Sequence, residues 1–257
     1  MEVKNLQDIC SQVRRDIVRM VHAVNSGHPG GSLGCVEFFV SLYFKIMSHN
    51  KEFNMDGLNE DIFFLSNGHI SPVFYSVLAR SGYFPTEELN TFRKINSRLQ
   101  GHPATKEGLP GVRIASGSLG QALSVALGAA TTKKLNKDDK IIYCLCGDGE
   151  MQEGQVWEAI MYAGSKEIDN LILTIDVNKQ QICGSTEDVM SLGNLNKKIS
   201  AFNWDVIEVD NGNNIKSVCD GIMNAKSKTK NKKPVCILIH TEMGYGVDFM
   251  MGSHKWH

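Results

Sequence analysis

No stretch of this chain reaches the roughly 20 consecutive apolar residues that a membrane-spanning helix needs. Residues 1–8 mix charge and polarity without an apolar signal region. The expectation is therefore a cytoplasmic protein with no membrane partner. Charge of one sign is also lacking: the net charge is −1, which gives no electrostatic footprint for nucleic acid or an anionic lipid surface. The basic cluster at 226–233 reads as a solvated helix end and loop. Seven Cys are present, but no C-x-x-C and no metal-site spacing. That excludes a cysteine zinc site and a thioredoxin-type redox motif, and leaves small thiols in a reducing compartment. No G-x-G-x-x-G occurs, which disfavours a dinucleotide site. There is no internal repeat and no low-complexity tract, so residues 1–257 are expected to form one domain, long enough for a well-buried core.

What is there is an alternation of helical and strand patterns. Leu6, Ile9, Val13, Ile17, Met20, Val21 and Val24 recur at spacings of three and four, which predicts an amphipathic helix over 5–25, stopped by Ser26-Gly27. Residues 35–47 read as a largely apolar, buried helix. Strands are expected at 61–66, 141–146, 170–176, 204–209 and 234–240. Helices are expected at 72–80, 121–135, 152–166, 195–203 and 214–226, with a further helix start at Thr86-Glu87-Glu88. The segment 121–135 is rich in small residues (Ala122, Ala126, Gly128, Ala129, Ala130), as suits close packing against a sheet or a partner. Cys144 and Cys146 alternate along one strand and should face one side of it. Strands alternating with helices imply an α/β fold, a parallel sheet flanked by helices on both faces.

The chemistry concentrates after the strands. Asp148 lies in Gly147-Asp148-Gly149 and Asn178 closes Asp176-Val177-Asn178, about thirty residues later. Each follows an apolar run, with a helix between, so a βαβ unit brings both to the C-terminal ends of neighbouring parallel strands, where ligands of open α/β sheets bind. A carboxylate and an amide oxygen are hard ligands suited to Mg²⁺ or Ca²⁺. Gly147 and Gly149 let backbone approach a diphosphate closely. The implied ligand is a metal-bound diphosphate at a switch point of the sheet.

Gly147-Asp148-Gly149 followed by Asn178 resembles the thiamine diphosphate fingerprint, and the surrounding residues resemble transketolase in particular. The run Gly147–Gly154 is similar to its diphosphate segment. Ser26-Gly27-His28-Pro29-Gly30, Ser66-Asn67-Gly68-His69, Gly101-His102-Pro103, Gly117-Ser118-Leu119-Gly120-Gln121 and Gly252-Ser253-His254-Lys255-Trp256-His257 match five more of its motifs in order. The resemblance implies the thiamine diphosphate-binding fold, with thiamine diphosphate and Mg²⁺ (or Ca²⁺ or Mn²⁺) as cofactors. It implies metal ligation by Asp148, Asn178 and the Gln180 carbonyl. It puts His69, Gly117, Ser118, Leu119, Gly147, Asp148, Gly149, Glu150, Asn178 and His254 against the cofactor. The segment 117–120 departs from the family's usual Gly-Pro-Leu-Gly at one residue, Ser118.

His28, His69, His102 and His254 are implied to line the substrate channel or the cofactor, since imidazoles can relay protons and hydrogen-bond a sugar near neutral pH. His257 is left outside that set, and His22, His49 and His240 match no motif. Glu153, with Glu158 beyond it, is implied to join a proton network across a subunit interface, and Val156, Trp157, Ile160 and Met161 would suit a buried contact there. Residues 181–194 are expected to cover the diphosphate.

The family's pyrimidine-binding and C-terminal domains have no counterpart in these 257 residues. The expectation is the N-terminal subunit of a split transketolase. A separately encoded C-terminal subunit would complete the cofactor site in an α2β2 heterotetramer that is inactive without it. The reaction implied is transfer of a two-carbon ketol unit from a ketose phosphate to an aldose phosphate, as in the pentose phosphate pathway, or from a modified ketose. The alternatives are a subunit of another thiamine diphosphate enzyme, similar to 1-deoxyxylulose-5-phosphate synthase or a 2-oxo-acid dehydrogenase, and a non-catalytic subunit that regulates by binding.

Overall fold

The structure is a computed structural model that describes residues 2–257. Helix α1 (Val3–Val24) carries the predicted stripe: Leu6, Val13, Ile17 and Met20 are buried. Its stop differs in detail from the expectation, because Asn25 takes the left-handed cap position at φ 48° ahead of Ser26-Gly27. The expected apolar helix over 35–47 begins earlier and in pieces, as α2 (Pro29–Gly34), α3 (Val36–Ser41) and a π-helical turn (Leu42–Ile46).

Strand β1 (Ile62–Leu65) leads through a 3-10 turn into α4 (Ser71–Arg80). The helix start at Thr86 yields only a 3-10 turn, Thr86–Thr91, closed by Arg93 at φ 57°. After a long loop come α5 (Ala122–Leu135), β2 (Ile142–Gly147), α6 (Gly154–Ser165) and β3 (Leu171–Val177). A two-residue hairpin follows, β4 (Gln180–Gln181) and β5 (Gly184–Ser185), with the short α7 (Thr186–Met190). Then α8 (Leu195–Ala201), β6 (Asp205–Val209), α9 (Ile215–Lys228) and β7 (Val235–His240) complete the pattern.

Five strands form one parallel sheet in the order β1-β2-β3-β7-β6. Along β2 the side chains alternate: Tyr143 and Leu145 join the core shared with α1, α3, α4 and α9, whereas Ile142, Cys144 and Cys146 join the core shared with α5, α6 and α8. Both cysteines thus face one side, as their spacing implies. This double burial is why the strands read as continuous apolar runs.

The topology also explains where a cleft must open. The chain leaving β1 passes to α4 on one face, while the chain leaving β2 passes to α6 on the other. The same divergence recurs between β3, which leads to α8, and β7, whose following segment packs Met250 and Trp256 onto the first core. Connections that part to opposite faces leave a crevice at the carboxyl edge. Six of the seven cysteines are buried and Cys183 alone is exposed; none is paired. Among the described residues no helix is long and apolar enough to cross a membrane.

Candidate functional site

Gly147 pairs with Asp176 across β2 and β3, and the Asp148 N–H donates to the Asp176 carbonyl at 3.0 Å. This register sets Asp148 and Asn178 at neighbouring strand tips. Asp148 is 2% exposed. Its Oδ1 accepts the Gly149 N–H at 2.8 Å and its Oδ2 the Lys179 N–H at 2.7 Å. Asn178 is held at both ends: Nδ2 donates to Asp176 Oδ2 at 2.8 Å, and Oδ1 accepts the Gln180 N–H at 2.9 Å. Asp176, which the sequence presented only as part of a motif, is therefore the anchor of Asn178; its other oxygen accepts the Thr241 hydroxyl.

Burial pushes the Asp148 carboxyl up to about 7, and the neighbouring Asp176 carboxylate adds to the rise. Burial likewise raises Asp176. Among the described residues neither forms an ion pair. Two buried carboxylates side by side without a counter-charge are costly unless a cation joins them. A hard divalent ion on Asp148 and Asn178 fits that donor set.

These tips open into a cavity of about 530 Å³ lined by His28, Gly31, Asn67, His69, Ile70, His102, Gly117, Leu119, residues 147–150, Gln152, Glu153, Asp176, Asn178, residues 180–183 and His257. One end is the carboxylate edge; the other is a cluster of imidazoles. His69 stacks on His257 at 5.0 Å between ring centroids, and His28 lies 5.2 Å from His69, 6.0 Å from His257 and 6.4 Å from His102. Burial lowers His69 to about 3 and His257 to about 4, with the neighbouring imidazoles adding to the effect. Burial also lowers His28 and His102, helped by the Arg93 guanidinium beside them. The cluster is neutral at pH 7, so each ring offers one donor and one acceptor. His28 Nδ1, His257 Nδ1 and Asn67 Oδ1, all on the lining, are buried without a partner. Unpaired buried polar atoms around one cavity are what a polar ligand would satisfy.

The glycines of the motifs have a steric reason. At Gly117 φ is +124°, and a Cβ would stand 2.8 Å from the His102 ring. Gly117→Ala is expected to cost about 1–3 kcal/mol through backbone strain and displacement of His102. Thermal unfolding should show a Tm lower by several degrees together with weaker cofactor binding; an unchanged Tm would mean that the loop is slack. At Gly30 a Cβ would meet the Trp256 carbonyl at 2.6 Å. That close approach lets residues 254–256 turn over α2 and bring His257 into the cavity.

His254 is where the structure departs from the sequence expectation. It is exposed and lies outside the cavity lining, whereas His257, left out of the expected set, is inside. The 3-10 turn His254–Trp256 carries the chain inward, with the His257 N–H donating to the His254 carbonyl at 3.0 Å. Ser118 is also exposed and off the lining, while its neighbours Gly117 and Leu119 are on it. Gln180 lines the cavity. Glu150 does too, yet both its oxygens are occupied by protein donors: Ser66, Gly120 and Gly147.

Glu153 sits at the exposed N-terminal cap of α6, with Glu158 exposed further along. The expected interface contacts of Val156 and Ile160 are corrected: both point into the sheet core, and Trp157 Nε1 donates to the Met151 carbonyl. The outward side of α5 and α6 instead shows Val125, Met161 and Tyr162. Of the segment 181–194, residues 181–183 line the cavity, and the segment is tied to the edge where Gln152 Nε2 donates to Gln181 Oε1 at 3.1 Å and to the Met190 carbonyl at 2.8 Å.

The family described as "Transketolase, thiamine diphosphate binding domain" matches residues 6–257. One of the subunits of the apulose-4-phosphate transketolase of Phocaeicola vulgatus is 36% identical over 257 residues, covering 100% of this chain and 89% of that protein. The "6-deoxy-6-sulfo-D-fructose transketolase subunit SqwG" of a Clostridium species is 36% identical over 253 residues, covering 98% and 90%. The solved transketolase of Campylobacter jejuni superposes with a TM-score of 0.91 at 34% identity, over 100% of this chain but 40% of that one. The chain thus spans nearly all of these two relatives, each itself one subunit of its enzyme, and about two fifths of the longer Campylobacter chain.

Proposed function

The chain belongs to the transketolase family through its thiamine diphosphate binding domain, and on that premise we propose that it is the N-terminal subunit of a two-subunit transketolase that moves a ketol unit between sugars. The observation that carries this is the single cavity joining the Asp148–Asn178 edge to the His28–His69–His102–His257 cluster. The near-complete coverage of relatives that are themselves single subunits supports a separate C-terminal partner. On this reading residues 1–257 are one diphosphate-binding domain, and two copies of each polypeptide form a heterotetramer. The exposed apolar side of α5 and α6, flanked by Glu153 and Glu158, is the face offered to that assembly. Seven unpaired thiols suit the reducing cytoplasm.

Bound thiamine diphosphate supplies the carbon nucleophile and electron sink for the carbon–carbon bond exchange. The chain's own residues do the rest. Asp148, Asn178 and the Gln180 carbonyl hold Mg²⁺, and Gly147 and Gly149 bring backbone to the diphosphate. Gly117 and Leu119 form the wall towards the ring end. The neutral imidazoles hydrogen-bond the ketol end of the sugar, hold or move its hydroxyl protons and exclude water. Arg93 stands behind His28 and His102, off the cavity lining, where its guanidinium helps keep both rings neutral and donates through Nη1 to Ser26 Oγ at 3.1 Å.

Modified ketoses are the favoured donors, because two of the most similar relatives are named for apulose 4-phosphate and a sulfonated fructose. A donor screen of the assembled enzyme tests this reading. Cleavage of ketose phosphates or sulfonated ketoses with transfer to an aldose phosphate is expected. Use of pyruvate in their place would assign it to a 1-deoxyxylulose-5-phosphate synthase or 2-oxo-acid dehydrogenase type instead.

A further inference from the structure

Glu150 stands two residues past the metal-edge carboxylate and is 2% exposed, yet it does not present a free oxygen to the cavity. Oε1 accepts the Ser66 hydroxyl and the Gly120 N–H, the latter at 2.5 Å, and Oε2 accepts the Gly147 N–H at 3.2 Å. The three donors come from three separate segments: the tip of β1, the loop 117–120 and the tip of β2. Among the described residues the Gly120–Glu150 bond is the only hydrogen bond made by the backbone N–H groups of 117–120. Gly120 sits at φ +81° with Glu153 Cβ 3.1 Å from where its own Cβ would be, so the loop is pressed between two glutamates. Asp148, in contrast, is turned towards Gly149 and Lys179.

We propose that Glu150 is a positioning residue: its carboxylate fastens the loop 117–120 to the tips of β1 and β2, and so sets the wall that meets the cofactor's ring without itself touching the cofactor. A buried carboxylate suits this task because it is acceptor-only and can take three donors at once. Charge-assisted hydrogen bonds of this kind are short and strong. An apolar side chain there would leave the Gly120 N–H and the Ser66 hydroxyl buried and unpaired. The inference rests on the cofactor reading above, and it predicts a division of labour: the Asp148–Asn178 edge governs the diphosphate end, and Glu150, whose bond to Gly147 at 3.2 Å is longer than its 2.5 Å bond to Gly120, acts mainly on the ring end.

The test compares thiamine diphosphate with inorganic pyrophosphate, which has the diphosphate but no ring. Each is titrated calorimetrically, at saturating Mg²⁺, into the full chain mixed with its C-terminal subunit. For Glu150→Leu the Kd of thiamine diphosphate should rise about tenfold or more, the size expected when a buried charge-assisted bond is lost, while that of pyrophosphate stays within about twofold. Glu150→Gln keeps one carbonyl oxygen for Gly120 and should stay within about threefold of wild type on both ligands. Ser66→Ala, which removes one hydroxyl outside the cofactor site, should weaken thiamine diphosphate alone by about threefold, and it carries the test if the leucine variant does not fold. Equal loss on both ligands, or no loss in Glu150→Leu and Ser66→Ala, overturns the proposal. A wild-type complex that takes pyrophosphate but not thiamine diphosphate overturns the cofactor reading itself, and the proposal with it.

Discussion

In the complex with its C-terminal subunit, an Asp148→Ala chain is expected to lose Mg²⁺-dependent thiamine diphosphate binding by at least about a hundredfold, since it removes the one charged member of the oxygen set formed with Asn178 and the Gln180 carbonyl. The same variant should gain stability relative to wild type as pH rises when no cofactor is present. The sign follows from burial. The Asp148 carboxyl has an ordinary value of 3.8 and stands at about 7 in the fold. Below pH 4 it is protonated in both folded and unfolded chains and contributes nothing. Between about 4 and 7 the unfolded chain gives up this proton and the fold resists doing so, so stability falls as pH rises, by an amount on the order of a few kcal/mol in all.

The histidine cluster works in the opposite direction, because lowered imidazoles cost stability as pH falls through their unfolded value. Taking the difference between variant and wild type cancels that background. Thermal unfolding of both apo chains from pH 4 to 8 should give a gap that widens in favour of the variant up to about 7 and then levels. In the complex with the C-terminal subunit, Mg²⁺ with cofactor should shift the difference towards wild type, since there only wild type can bind them tightly and be stabilised. A gap independent of pH would mean that Asp148 is not held against its ionisation.

The second large effect separates two histidines three residues apart. His257→Ala is expected to lower kcat/KM of the assembled enzyme by about a hundredfold or more, the scale of a lost proton-transfer or sugar-binding imidazole. His254→Ala should stay within about twofold, because its ring is exposed and outside the cavity. Steady-state kinetics with a ketose phosphate donor checks both. The opposite ranking would place the ring of His254 in the site and contradict the packing of residues 254–256 over α2.

That pair also shows why some of the site was legible in the sequence and some was not. Asp148, Asn178, His28, His69 and His102 follow strand ends or sit in glycine-bearing loops, and a parallel sheet gathers such positions at one edge whatever the details of packing. The apolar runs of the five main strands and the stripe of α1 had long enough periods to be read directly. His254 against His257 depends on the direction of one short turn. That direction is fixed by distant contacts: Trp256 against Phe249 at 5.5 Å between centroids, and its carbonyl against Gly30. No local pattern encodes it.

The hairpin at 180–185 has strands of two residues, too short for any period. The wrong faces expected for Val156 and Ile160 arose because a helix that is apolar on a wide arc does not announce which part of the arc meets the sheet. Asp176 and Glu150 were present in the motifs, but their roles as anchors appear only once the segments they join lie side by side.

The central claim is that this chain supplies half of a shared cofactor site. Calorimetric titration of thiamine diphosphate with Mg²⁺ into the chain alone, and into the chain premixed with its C-terminal subunit, tests it most directly. Tight binding and ketol transfer in the mixture only, with at most weak binding to the chain alone, is the predicted result. Tight binding together with turnover by the isolated chain would contradict it.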